Sequence, residues 1–254
     1  FSWERLDLVD GLRTAFASVG QFLVILADGG TGILIAAGAM LLAGLPVLGT
    51  PEPSFPREPV RRRSNGVMIA LGNWPVFLII ILSGLTISVL YAMPAIYARQ
   101  IGMSAGETAV YLVSAMVAGA LSQNLLGALT DLFGRAIVIS GAAAIGFVAA
   151  GLLTLGTIEG AWAVTLAGAV VAAAAFPIYS LSLARLIDLV HPSEVVSATG
   201  VAIVGYTMGA VFGPALSGYA MGELGGAGFY GFMAAGLWLA SAIALGEAFR
   251  RGRG

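Results

Sequence analysis

Cysteine and lysine are absent from the 254 residues, and histidine occurs once, at position 191. Without cysteine there is no disulfide, no thiolate ligand and no thiol nucleophile. A single histidine excludes a multi-histidine metal site within the chain. Charge is scarce too: 10% of residues are Asp, Glu or Arg, where a soluble domain carries about 25%. The net charge of −1 removes the basic surface that nucleic-acid binding needs. Apolar residues make up 59% of the chain, and mean hydropathy is +0.96. These figures exclude a soluble globular protein and a disordered tail. A polytopic membrane protein remains.

The few charges cut the chain into eight uncharged stretches: 14–27, 29–51, 64–98, 108–130, 136–158, 160–184, 195–222 and 224–246. About 20 apolar residues cross a hydrocarbon core about 30 Å thick. Seven stretches reach that length, and the first is short. Lipid offers a free backbone group no partner, so the spans must be helices. The expected fold is therefore all-α, with eight transmembrane helices.

Arginine sets the orientation. With loops numbered alternately, Arg5, Arg13, Arg57, Arg61, Arg62, Arg63, Arg135, Arg185, Arg250, Arg251 and Arg253 fall on one side and only Arg99 on the other. The positive-inside rule makes the arginine-rich side cytoplasmic, with both chain ends there. Asp28, Glu107, Glu159 and Glu223 fall outside. Local chemistry agrees. Ser104 and Glu107 form a capping box opening the fourth span. Pro75 suits the first turn of the third, and Ser193 is the expected N-cap of the seventh. Tyr97, Trp162 and Tyr230 sit where an outer aromatic belt belongs.

Residues 49–66 are Pro-rich and basic, and read as a cytoplasmic linker along the headgroups. The linker separates residues 1–48, with two spans, from 67–254, with six. Six helices after a long linker suggest the second repeat of a twelve-helix transporter. Residues 1–48 then carry helices 5 and 6, a remnant of the first repeat. The chain starts at Phe1 rather than Met, and the expectation is that its N-terminus lies upstream.

Between the fourth and fifth spans stands Gly127-Ala-Leu-Thr-Asp131-Leu-Phe-Gly134-Arg135. Two spans reverse there within about four residues, which favours glycine. An acid and a base at the inner face can cap helix ends and pin neighbouring helices. The segment resembles the signature loop of the major facilitator superfamily, G-x-L-x-D-x-x-G-R-[RK], with Gly127, Leu129, Asp131, Gly134 and Arg135 matching. Leu132 and Ala136 depart from it. In the seventh span Gly205, Gly209 and Gly213 share one face and Pro214 follows. This looks like the glycine–proline motif of the superfamily's antiporters, and reads either as close helix packing or as a hinge. Further pieces resemble the YcaD-like branch of bacterial inner-membrane transporters: Gly20-Gln21, Ala27-Asp28, Pro46-Val47, Pro94 to Ala98 and Pro177 to Ala184. The resemblance implies a helix bundle of that superfamily and transport of a small solute across the bacterial inner membrane by alternating access. The expected partners are that solute and the bilayer, with no nucleic acid and a monomeric chain.

In that architecture the third, fourth, sixth and seventh spans face a central path, and the fifth and eighth lie outside. The candidate path residues are Ser83, Thr86, Tyr91, Gln123, Asn124, Tyr179, Ser180 and Tyr206. Gln123 and Asn124 point about 100° apart on a helix; each is either interhelical glue or a solute contact, with Gln123 favoured as the contact. Tyr91 and Tyr179 either line the path or brace helices. Pro94 and Pro177 can kink their helices, as gates or as static bends. Arg185 and Asp188, three apart, share a face and could pair, as an inner gate, as a snorkelling anchor or in proton movement. No Asp, Glu or His lies mid-span, so a proton-coupling carboxylate is expected in helices outside this chain. No metal site or cofactor is expected. Two other classes compete: a membrane sensor or scaffold retaining the fold, and a lipid phosphotransferase, for which Asp188 and His191 are the nearest acid–histidine pair.

Overall fold

The computed structural model describes residues 65–251, together with Gly38. The segment 1–48, with the first two apolar stretches, and all but the last two residues of the linker lie outside the described residues, Gly38 apart. The elements are α1 (Gly66–Gly72), α2 (Trp74–Ala92), α3 (Pro94–Gln100), α4 (Ala105–Phe133), α5 (Arg135–Thr154), α6 (Ala161–Asp188), a 3-10 turn (Pro192–Glu194), α7 (Val195–Leu224) and α8 (Gly226–Arg251). Among the described residues there is no strand, and six helices are long and apolar enough to cross a membrane. The all-α membrane bundle read from composition is thus what the chain forms.

The helix ends follow from local chemistry. Ser104 opens α4: its backbone N–H donates to Glu107 Oε2 at 2.8 Å, and the Glu107 N–H donates back to Ser104 Oγ at 3.3 Å. That reciprocal box satisfies two otherwise unpaired donors. Pro75 lies in the first turn of α2, where its missing N–H costs nothing. Only Gly134 separates α4 from α5, at φ +79°. A side chain rarely tolerates that conformation, and glycine does.

The stretch 64–98 holds three helices. It breaks at Asn73 and again at Met93, and Pro75 opens the long middle helix, as its expected first-turn place implies. The cap expected for the seventh span is corrected: Ser193 does not supply it. The His191 ring nitrogen accepts the Ser193 N–H at 3.3 Å and caps the 3-10 turn, and α7 then starts without a side-chain cap.

The helices pack in a bundle centred on α2, α6 and α8. The α2 helix runs along α7, α5 lies against α8 and α6, and α4 lies against α6. Ser140 and Ser241 join α5 to α8 reciprocally, each hydroxyl donating to the other residue's carbonyl at 3.1 and 3.0 Å. The α4 and α7 helices are the least covered: 11% and 22% of their spans are buried, against 44–56% in the other four. Tyr97 and Tyr230 are buried in the bundle beside Tyr111 and Phe229 rather than facing lipid. Trp162 alone of the expected belt is exposed.

Candidate functional site

One end of the bundle gathers the charges of the glycine-bearing loop. Gly127 is half-buried near the end of α4, and Asp131 is exposed one turn later, with no hydrogen bond or ion pair among the described residues. Gly134 turns the chain and Arg135 opens α5. The Arg135 guanidinium donates to the Ala184 carbonyl at 3.0 Å and pairs with the Asp188 carboxylate. Both partners belong to the last turns of α6. A cation there answers unpaired carbonyls and the negative end of the helix dipole. One arginine thus ties the α4–α5 loop to the end of α6.

Arg185 and Asp188, whose spacing allows a pair, do not pair with each other. Asp188 takes Arg135. Arg185 reaches α8, where its Nε and Nη2 both donate to Glu247 Oε1, at 3.1 and 3.0 Å. Burial explains the choice: the Glu247 side chain is 7% exposed and that of Arg185 19%. A carboxylate so placed requires a counter-charge. Glu247 was not among the expected site residues. It directly follows the stretch 224–246 and looked like a boundary charge. Its position four residues before Arg251, on the face carrying buried Ala240 and Ala244, was the only available sign of its burial.

The candidate path residues separate into two sets. Ser83 and Thr86 are each 1% exposed. Their hydroxyls donate to carbonyls of their own helix, Ile80 at 2.7 Å and Leu82 at 3.0 Å. The others are half-buried or exposed. Tyr91 is 55% exposed, with its ring edge-on to Phe176 at 5.4 Å. Phe176 sits over Gly119 of α4, where a Cβ would run into the phenyl ring. Gln123, four residues on, shares that face and is half-buried, while Asn124 is exposed. Tyr179 and Tyr206 meet with ring centroids 4.6 Å apart, both half-buried. Ser180 is exposed and its hydroxyl donates to the Pro177 carbonyl at 3.0 Å. Two separate ring contacts result, Tyr91 of α2 with Phe176 of α6 and Tyr179 of α6 with Tyr206 of α7, and Phe176 also covers the α4 face that carries Gly119.

The glycine face of α7 packs closely on α2, against its backbone at Gly209 and Gly213 and against a phenyl ring at Gly205. Gly205, Gly209 and Gly213 are all buried. A Cβ at Gly205 would meet the Phe77 ring at 2.6 Å, one at Gly209 would overlap the Ile81 carbonyl, and one at Gly213 would meet the Leu85 carbonyl at 2.5 Å. Gly84 of α2 meets the Tyr206 carbonyl in the same way. Small residues on both helices allow this approach. Pro214 and Pro177 lie inside α7 and α6 without ending them, whereas Pro94 starts α3. Among the described residues no group of three His, Cys, Asp or Glu could hold a metal ion.

Six membrane-length helices, apolar outside and tied by ion pairs at one end, define a polytopic helical membrane protein. The profile of the Major Facilitator Superfamily matches residues 76–253, and the chain belongs to that family. It is similar to the protein described as uncharacterized MFS-type transporter YcaD in Salmonella paratyphi B, Salmonella newport and Salmonella heidelberg. Identity is 27% over 136 residues in each case, covering 53% of this chain and 34% of the relative. The match therefore spans about a third of the length of these curated relatives.

Proposed function

We propose that the chain acts in a secondary active transporter, moving a small solute across the bacterial inner membrane by alternating access. Residues 67–254 serve as one six-helix repeat, with the arginine-rich end cytoplasmic. One observation carries this reading. Tyr91, Gln123, Tyr179 and Tyr206 come from four different helices and none is fully buried; Tyr91 meets Phe176, which covers the Gly119 face of α4, and Tyr179 meets Tyr206. Membrane helices keep polar side chains off lipid unless they pair or line a pathway. Gln123 has no hydrogen bond among the described residues, which leaves its amide for a solute.

The test is counterflow in proteoliposomes with labelled sugars, amino acids and carboxylic acids. Saturable flux of at least one solute is expected. Gln123→Ala and Tyr206→Ala should abolish it, and Ser83→Ala should not. Folded protein that moves none of the three classes would overturn the reading and favour a sensor or scaffold.

A further inference from the structure

A second opening lies at the other end of the bundle, away from the arginines. It is a cavity of about 580 Å³ between the end of α3, the start of α4, the α5–α6 turn and the start of α8. Small-molecule pockets generally measure about 300–1,000 Å³. None of the candidate path residues lines it.

Its lining has one sign of charge. Glu107 and Glu159 are both present, and no arginine or histidine is. Glu107 Oε2 is engaged by Ser104, while Glu159 is exposed and has no partner among the described residues. Leu153 and Val164 supply apolar wall. Gly156 and Gly160 add no side chain, and the space beside them is open.

Tyr97 is the independent sign of a ligand. Three tyrosines cluster at this end. Tyr111 and Tyr230 satisfy each other, hydroxyl to hydroxyl at 2.7 Å. Tyr97 packs against both rings, is 5% exposed and lines the cavity, yet its hydroxyl has no hydrogen-bond partner among the described residues. Unlike the sealed hydroxyls of Ser182 and Ser217, its oxygen stays accessible, so a polar partner from outside the chain can reach it.

We propose that this cavity binds a protonated organic amine. The carboxylates of Glu159 and Glu107 take the ammonium group, the Tyr97 hydroxyl accepts one of its N–H bonds, and Leu153 and Val164 cover an apolar body. Two sources share this chemistry: a free amphiphilic amine and the ethanolamine headgroup of a lipid. The site is separate from the solute path and is read by binding alone, so its test does not depend on transport.

The experiment titrates 4-phenylbutylamine into the full chain in maltoside micelles by calorimetry, with empty micelles as blank. The uncharged 4-phenylbutanol is the matched control. The amine should bind saturably and the alcohol should not. Glu159→Gln, at an exposed position, should weaken the amine about fivefold, the effect of one exposed charge interaction. Tyr97→Phe should weaken it while keeping the ring packing, and Ala161→Phe should block it by filling the cavity. Adding phosphatidylethanolamine separates the sources: competition against a phosphatidylglycerol control supports the headgroup, and unchanged binding supports a free amine. Equal binding of the alcohol, or amine affinity unchanged in both Glu159→Gln and Ala161→Phe, would overturn the proposal.

Discussion

Two residue contacts hold the bundle in ways that single substitutions expose. Removing Glu247 leaves the Arg185 guanidinium mostly buried without its counter-charge. Glu247→Ala should lose about 3 kcal/mol, and the double variant Arg185→Met/Glu247→Leu should recover most of it, because replacing both partners removes the desolvation cost as well as the attraction. Denaturation in graded dodecyl sulfate, followed by circular dichroism, checks both. The Tyr111–Tyr230 hydroxyl pair is smaller. Tyr111→Phe should cost about 1 kcal/mol in the same assay, with the rings still packed. Residue-level legibility divides along sequence distance. The capping box of Ser104 and Glu107 was visible because both partners lie within four residues. The partner of Arg185 was not, because Glu247 is 62 positions away and only packing of α6 on α8 brings it near. Spacing along one helix suggested Asp188, but tertiary packing gave Asp188 to Arg135 instead.

Among the elements, the contact of α2 with α7 is the most sensitive to side-chain size. Gly209→Leu should drive the helices apart, since even a Cβ overlaps the Ile81 carbonyl. Gly141→Ala and Gly200→Ala meet nothing within 4 Å and should leave the protein monodisperse on size-exclusion chromatography after heating, where Gly209→Leu aggregates. This contact was half legible. Glycines every four residues in 205–213 declare a close face but not which helix fills it. Element boundaries were legible where a charge or a cap marks them, as at Gly134 and Ser104. Inside 64–98 no charge stands, and proline alone marks the backbone breaks. Asn73 and Met93 precede Trp74-Pro75 and Pro94, and the prolines were the available signal. The aromatic belt failed for a related reason: height in the membrane can be counted from sequence, but the direction of Tyr97 and Tyr230 is set by the packing of α3 and α8.

For the whole molecule, the absence of cysteine makes the placement of every side chain directly measurable. Single cysteines at Gln123 and Tyr206 should react with a membrane-impermeant maleimide in the folded protein. Ser83→Cys and Thr86→Cys should react only on opening of the bundle. Equal reactivity at all four positions would mean that the inward-facing hydroxyls of α2 are misplaced. The backbone contact at Gly84, Gly209 and Gly213 has a mechanical consequence at this scale. Two rods pressed together along their backbones bend as one laminated beam, and its stiffness far exceeds that of either helix alone. The backbone break lies elsewhere, at Met93, where α2 stops and Pro94 supplies no N–H to continue it. A load applied to α3 at the glutamate end should therefore be taken up by rotation at that joint, while the paired rods keep their shape.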